Sequence, residues 1–403
     1  MQKNSQRLKA KITSFLFLTC YLLLGCGNVV ISASPPEINP LEIKTPDPLL
    51  PETGDRALSP AERLKLTQAL DALHTEGTEL LQAGKAEEAF VVWYRELRLR
   101  RALGAIAEVQ ALGKVGEVAW RENRTNDLSV IIARLQTIQQ EAEAKPPVDP
   151  ALWQALGVAF EQVRSLKLAA DVYEKFLAFA RQQQDGATVE ATLKTLGKLY
   201  ISWLNYPKAA VYYEELLAIA KSQNDRFNQV NYLQELAYIY DQLQQPQNAI
   251  LVKQQLEAFY LQKADLVNLL VALKLAIAID YDKLQQADNA SINYQEAYRL
   301  ALSLQQYGYA GEALQKLAEL YRSHEQLEYA LQIYQILLQV QEQTYDYYGQ
   351  MKVYDQMAQI YVQQKDNSQA LLVLRKGLEL AKSLQYQEDY FNDQIQKISA
   401  DGK

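Results

Sequence analysis

The feature that most constrains this chain is a fixed period. Taking one large residue per unit as an anchor, Leu80, Trp120, Phe160, Tyr200, Tyr240, Tyr281, Tyr321 and Tyr361 stand 40, 40, 40, 40, 41, 40 and 40 residues apart. Three positions before the anchors lie Gly77, Glu117, Gly157, Gly197, Ala237, Ala278, Ala318 and Ala358. Nine positions after them lie Ala89, Ser129, Ala169, Ala209, Ala249, Ala290, Ala330 and Ala370, so fourteen of these sixteen positions hold Gly or Ala. Such a chain builds copies of one supersecondary unit that cannot bury its apolar face alone, and neighbouring copies must stack.

The unit is helical. From Ala61 onward apolar residues recur at three- and four-residue spacing, and seven of the 12 prolines (Pro35, Pro36, Pro40, Pro46, Pro48, Pro51, Pro60) crowd one short stretch, leaving the rest nearly free of helix breakers. A small residue three before an aromatic lies on the same face of a first helix, where it lets a second helix approach while the ring covers the gap. The second helix begins at the Ala, past a turn marked by Gly84-Lys85, Pro207, Pro246 or Asp366-Asn367. Four residues further, Trp93, Tyr173, Tyr213, Tyr294 and Tyr334 are expected to fill the groove between neighbouring units.

This register of small residue, aromatic and Ala resembles the tetratricopeptide repeat (TPR) from Ala61 to Tyr390. The resemblance implies an all-α fold: an α-solenoid, a right-handed superhelix of about eight TPR-like helical hairpins of 40 residues with a C-terminal capping helix. The period is longer than the family's, the closing Pro is mostly missing, and the second unit (Trp120, Ser129) is degenerate. HEAT-type repeats share the longer period without this register. The segment Glu388 to Ile398 reads as a ninth, polar first helix, giving a repeat domain over 61–390 and a cap and tail over 391–403. Lys145-Pro146-Pro147-Val148-Asp149-Pro150 interrupts the array either as a simple loop or as a hinge.

Residues 1–33 read as an export signal: Lys3, Arg7, Lys9 and Lys11 with no acid, then the apolar run Ile12 to Leu24. Leu23-Leu24-Gly25-Cys26 resembles the lipobox of bacterial lipoproteins, which implies lipidation of Cys26. An ordinary signal cut after Ala33 and an uncleaved anchor from Ile12 to Ala33 are the alternatives. Because Cys20 lies inside the signal, Cys26 would be an unpaired thiol in an oxidising compartment unless modified, which favours the lipoprotein. The expected location is the cell envelope, membrane-anchored and facing the periplasm. Residues 34–60, which carry the proline cluster, are expected to form an extended linker holding the body away from the membrane.

Two Cys, two His and a formal charge of −7 leave little for zinc or histidine chemistry and argue against a nucleic-acid partner. The chain has no phosphate-cradling, zinc-protease, Cys-pair or nucleophile-elbow motif. A non-enzyme with no cofactor, metal or small-molecule substrate is expected, with a protein or peptide partner. In the family, first helices line an inner surface that receives peptides. By phase, residues six before, two before and one after each anchor face it, and the candidate partner-binding residues are Gln154, Lys194, Lys198, Gln234, Tyr238, Asp241, Gln315, Glu319 and Arg322. Lys194 and Lys198 form a basic pair one turn apart, read either as two solvated surface lysines or as a hold for a partner carboxylate. The Asn that completes the family's chaperone clamp is missing beside Lys194, so chaperone binding is not implied. The function expected is an exported protein–protein interaction scaffold, with a peptide-responsive sensor as the alternative.

Overall fold

The computed structural model describes residues 39–44, 46–50, 57–263 and 266–401. The segment expected to be an export signal, with Cys26, lies outside them. Among the described residues there are seventeen α-helices and no strand, in two compact units that divide at Gly104 and Ala105. The first unit holds α1 (Pro60–Gln82) and α2 (Ala86–Arg100). The second is a solenoid of TPR-like hairpins in which helices pack on their neighbours in turn: α3 (Ala105–Arg121), α4 (Thr125–Glu143), α5 (Pro150–Gln162), α6 (Leu166–Gln182), α7 (Gly186–Ser202), α8 (Tyr206–Ser222), α9 (Arg226–Gln242), α10 (Pro246–Tyr260), α11 (Val267–Lys283), α12 (Ala287–Ser303), α13 (Tyr307–Ser323), α14 (Leu327–Gln343), α15 (Tyr347–Gln363), α16 (Asn367–Leu384) and α17 (Glu388–Asp401). All eight anchors end first helices, and all eight residues nine positions on open second helices.

The 40-residue period resolves into two steps of 20. Residues with left-handed backbone stand at Arg164, Gln184, Leu204, Asn224 and Gln244, and again at Gln285, Gln305, Glu325, Tyr345 and Lys365. Turns within and between hairpins are therefore alike. At each, two hydrogen bonds satisfy the last carbonyls of the ending helix; the Asp185 amide donates to the Ala180 carbonyl (3.0 Å) and the Gln184 amide to that of Arg181 (3.1 Å). The residue that closes one helix also caps the next, as Asp185, Asn205, Asp225, Asp346 and Asp366 accept from the first turn that follows.

Within a hairpin, the ring that covers the small residue comes from the second helix, not from the anchor. A Cβ on Gly77, Gly157 or Gly197 would stand 2.3, 2.5 or 2.8 Å from Trp93, Tyr173 or Tyr213, sixteen positions on. These rings lie inside their own hairpin rather than between units. The anchors instead tie a first helix to the hairpin before it. Tyr200 Oη donates to Glu174 (2.7 Å) and Tyr240 Oη to Glu214, while Gln254 and Gln295 donate to the hydroxyls of Tyr281 (3.1 Å) and Tyr321 (3.2 Å).

Two places depart from the pattern. The seven alanines that open second helices are fully buried, whereas Ser129 is exposed and the anchor Trp120 is 46% exposed with Arg164 stacked 4.8 Å over its ring. In this degenerate unit α3 packs directly on α5, more extensively than α4 does, through Gly113 against Ala159 and Gly116 against Val163. The contact crosses Lys145–Pro150, so that stretch is a loop inside the second unit rather than a hinge. The other departure is Lys253, which takes the ring position opposite Ala237. It is buried, with Nζ 2.6 Å from buried Asp280 and 2.7 Å from Asp241.

The proline-rich linker is not a free spacer where it is described. Asn39 and Asp47 fold it by accepting from the Leu41 and Leu49 amides (both 3.0 Å), Leu41 is buried, and α2 holds it: Arg98 donates to the Pro40 carbonyl (2.7 Å) and Arg95 makes a two-toothed pair with Asp47 (2.7 and 3.0 Å). Side-chain turns and an arginine row outweigh the extended preference of the prolines. At the other end, the boundary at Tyr390 falls inside α17. This helix is less polar than its sequence reads: it buries Phe391 and Ile398 against the array, with Phe391 on Gly377.

Candidate partner-binding surface

The first helices of the second unit carry two grooves. The anterior groove, about 670 Å³, runs over α5 and α7 and is lined by Gln154, Val158, Glu161, Arg164, Lys198 and a row of hydroxyls, Thr188, Thr192, Thr195 and Ser202. The posterior groove, about 880 Å³, runs over α13, α15 and α17. Its walls carry Gln315, Glu319, Asp355 and Gln356, with Tyr307, Tyr348 and Tyr390 at its edges, and Gly308 and Gly311 leave its floor low.

The candidate residues fall in different places. Gln154 and Lys198 line the anterior groove and Gln315 and Glu319 the posterior one, while Lys194 is exposed on α7 beside the anterior groove rather than in it. Among the described residues neither Lys194 nor Lys198 has an ion-pair partner. Tyr238 is 45% exposed, its ring edge-on to Tyr206 at 5.9 Å and the two hydroxyls 3.2 Å apart. Gln315 donates to Glu319 (2.8 Å), which also pairs with Lys316 (3.0 Å), and three others are likewise engaged by the protein itself. Gln234 donates to the Tyr260 hydroxyl (2.7 Å), Asp241 is paired to Lys253, and Arg322 bonds Gln356 and Gln359 (2.8 Å), joining α13 to α15. The position after the anchor also meets the second-helix residue twelve positions on: Tyr173 donates to Glu161 (2.6 Å), which still lines the anterior groove, just as Lys253 donates to Asp241. A long side chain there is drawn down to the polar tip of the buried residue below it.

Electrostatics differ between the grooves. Burial first, and the adjacent Glu161 carboxylate second, raise the Tyr173 phenol under the anterior groove. In the posterior groove burial and then Asp355 push the Tyr390 phenol up to about 12, so it remains a proton donor to Asp355 (2.8 Å) at neutral pH. Asp355 also accepts from Gln359 (2.8 Å). The phase rule missed the three edge tyrosines and the two glycines; a signal was present in Tyr307 and Tyr347-Tyr348, which open first helices one period apart. Among the described residues no group of three or more His, Cys, Asp or Glu is placed to hold a metal ion, and no helix is long and apolar enough to cross a membrane.

No family model matches the chain, and no curated protein matches it in sequence. Solved structures do. BtubC (BKLC) from P. vanneervenii is 17% identical over 55% of this chain and 92% of its own, with a TM-score of 0.38. Aspartyl phosphate phosphatase F from Bacillus subtilis is 14% identical over 72% of this chain and 78% of its own, TM-score 0.40. A signal transduction ATPase with numerous domains and a tetratricopeptide repeat sensor, from Pyrococcus horikoshii, is 15% identical over 84% of this chain and 45% of its own, TM-score 0.28. At these scores the fold assignment stands on the hairpins and turns of this chain.

Proposed function

Taking the chain as a solenoid of TPR-like helical hairpins, we propose that it is a non-enzymatic scaffold, exported to the cell envelope, that binds a segment of a partner protein along the grooves of its first helices. The observation that carries this reading is the contrast between used and unused positions on those helices. Small residues, rings and anchors are consumed by packing, while Gln154, Lys198, Gln315, Glu319 and Asp355, each two or six positions before an anchor, line open grooves of several hundred Å³. Grooves of this size and mixed polarity suit an extended peptide, whose backbone needs hydrogen-bond partners along its length.

Export and anchoring rest on the N-terminal sequence: the basic start, the apolar run and the Leu-Leu-Gly-Cys stretch ending at Cys26. A lipid on Cys26 would hold the chain at a membrane face, and Pro40 and Asp47, held by α2, would bring the first unit close to that attachment. The test is crosslinking in intact cells with a photoreactive residue placed at Gln154, Lys198 or Gln315. Capture of the same partner from groove positions and not from exposed Val91 on α2 is expected. Equal capture from both overturns the groove reading. Mass spectrometry of the mature N-terminus checks the anchor: a diacylated Cys26 is expected, and a free Ser34 start rules it out.

A further inference from the structure

The posterior groove has an unbalanced chemistry that narrows what it can take. Of its four carboxylates, Glu319 is paired with Lys316 (3.0 Å) and Asp346 caps α15 by accepting from the Gly349 amide (2.8 Å). Among the described residues neither Glu312 nor Asp355 has an ion-pair partner. Asp355 is half-buried and already oriented, holding one hydrogen bond from Tyr390 and one from Gln359, the arrangement of an acceptor set to receive a charged donor. The side-chain oxygen of Gln341, on the same wall, is buried with no hydrogen-bond partner. The rings at the edges suit a cation as well, and one holds an ammonium already: Lys352 Nζ sits 4.3 Å from the centre of Tyr348.

The floor carries an independent observation. Gly77, Gly157, Gly197 and Gly377 each accommodate a ring that a Cβ would strike at under 3 Å. Gly308 has nothing within 4 Å and Gly311 only a Leu337 methyl at 3.7 Å, yet both stand in α13 next to Glu312. Packing does not require a glycine at either position. The space beside them belongs to the groove that Glu312 and Asp355 also line.

We infer that the posterior groove binds an extended, lysine- or arginine-bearing segment of the partner, with the cationic heads at Glu312 and Asp355 and the stems over Gly308 and Gly311. This rests on the peptide-binding reading above and adds the charge of the peptide and the place where it is read. The anterior groove, with Arg164 and Lys198 against Glu161, does not share this chemistry.

The test uses full-length protein and two fluorescein-labelled octapeptides, one alternating lysine with alanine and one alternating glutamate with alanine, followed by anisotropy at low and moderate salt. The lysine peptide is expected to bind about tenfold or more tighter. The double variant Glu312→Gln/Asp355→Asn should remove that preference, and Gly308→Leu, which fills the bed without changing charge, should weaken binding about tenfold while keeping the salt dependence. A charge-matched control outside the groove, Glu79→Gln/Glu117→Gln, should bind as the parent does. Equal affinity for the two peptides overturns the inference, as does a lysine preference that the control lowers as much as the groove variants do, since that is attraction to an acidic surface at large. Preference for the glutamate peptide overturns it too but leaves the scaffold reading standing, whereas failure of groove-specific crosslinking in cells removes the scaffold reading whatever the peptides do.

Discussion

The anterior and posterior grooves of the second unit occupy the same phase of the repeat and differ in almost every side chain that lines them. Under the anterior groove Gly157 is filled by the ring of Tyr173, whose hydroxyl holds Glu161, and the lining is hydroxyls with both signs of charge. In the posterior groove a Cβ on Gly308 would meet nothing and one on Gly311 only a Leu337 methyl in ordinary contact, and carboxylates outnumber the single lysine. The backbone repeat thus decides where a groove can occur, since the helices that carry both grooves are set by the same left-handed turns at Gln184, Leu204, Gln305, Tyr345 and their equivalents. What the groove can bind is decided at positions the turn and the core leave free.

The sharpest way to break the comparison is to cut the protein between the grooves. Lys253 and Asp280 are both departures from phase: the ring position carries Lys, and the position before the anchor, Leu199, Ile239, Leu320 or Ile360 elsewhere, carries Asp. Lys253→Met leaves Asp280 buried and deprived of its closest cation, an expected loss of about 3 kcal/mol. Denaturant unfolding followed by circular dichroism should show the midpoint fall and the transition split, as the groove-bearing halves lose their coupling. Restoring both positions to phase, with Lys253→Tyr/Asp280→Leu, should recover the parent stability, and a double variant as unstable as the single would show that the pair is not what joins the halves.

A smaller effect contrasts the glycines directly. Gly157→Ala drives a Cβ to 2.5 Å from the buried Tyr173 ring, an expected destabilisation of about 1–3 kcal/mol. Gly311→Ala meets only ordinary contact and should stabilise the protein by roughly 0.5–1 kcal/mol. Denaturation midpoints that move the same way for both would erase the distinction between a filled and an open floor. If the turns really are equivalent, Leu204→Gly beside the anterior groove and Tyr345→Gly beside the posterior one should relieve the same left-handed strain, each by roughly 0.5–1 kcal/mol.

The smallest effect lies outside both grooves. The hydrogen bonds from Arg95 hold the Asp47 carboxyl below its ordinary value of 3.8. A depressed carboxyl stabilises the folded form above its unfolded value, so the hold of residues 39–50 on α2 should be full at pH 5 and lost as pH falls through and below 3.8. An acid-tolerant protease should cleave within 34–60 faster at pH 3 than at pH 5 in the parent, and equally fast at both in Asp47→Asn.

Much of this architecture was legible because repetition turns weak local signals into a phase. The small residues, anchors and alanines located every hairpin, and Pro207 and Pro246 located helix starts. The degenerate second unit was visible as Ser129 and Trp120, but that α3 would reach past α4 to α5 was not, because Gly113 and Gly116 announce a close approach without saying to what. The same phase carried signals that went unread: Glu174, Glu214, Gln254 and Gln295 stand 26 or 27 residues before the anchor hydroxyls they meet. Of the partner-facing candidates, Gln154, Lys198, Gln315 and Glu319 line grooves, whereas Gln234, Asp241 and Arg322 are held by neighbours. Phase assigns a face, but it does not say whether a long side chain bends back to a buried polar tip.

The chain's order of residues alone determined that this is a stack of paired helices and how many residues separate one pair from the next, because period and helix propensity are local properties read along the sequence. Folding decided which open positions were taken up by the protein's own side chains, that Pro40 and Asp47 are held by α2, and that two carboxylates of the posterior groove have no ion-pair partner among the described residues. Those outcomes turn on contacts between residues dozens of positions apart, where burial, hydrogen bonding and charge compete in three dimensions.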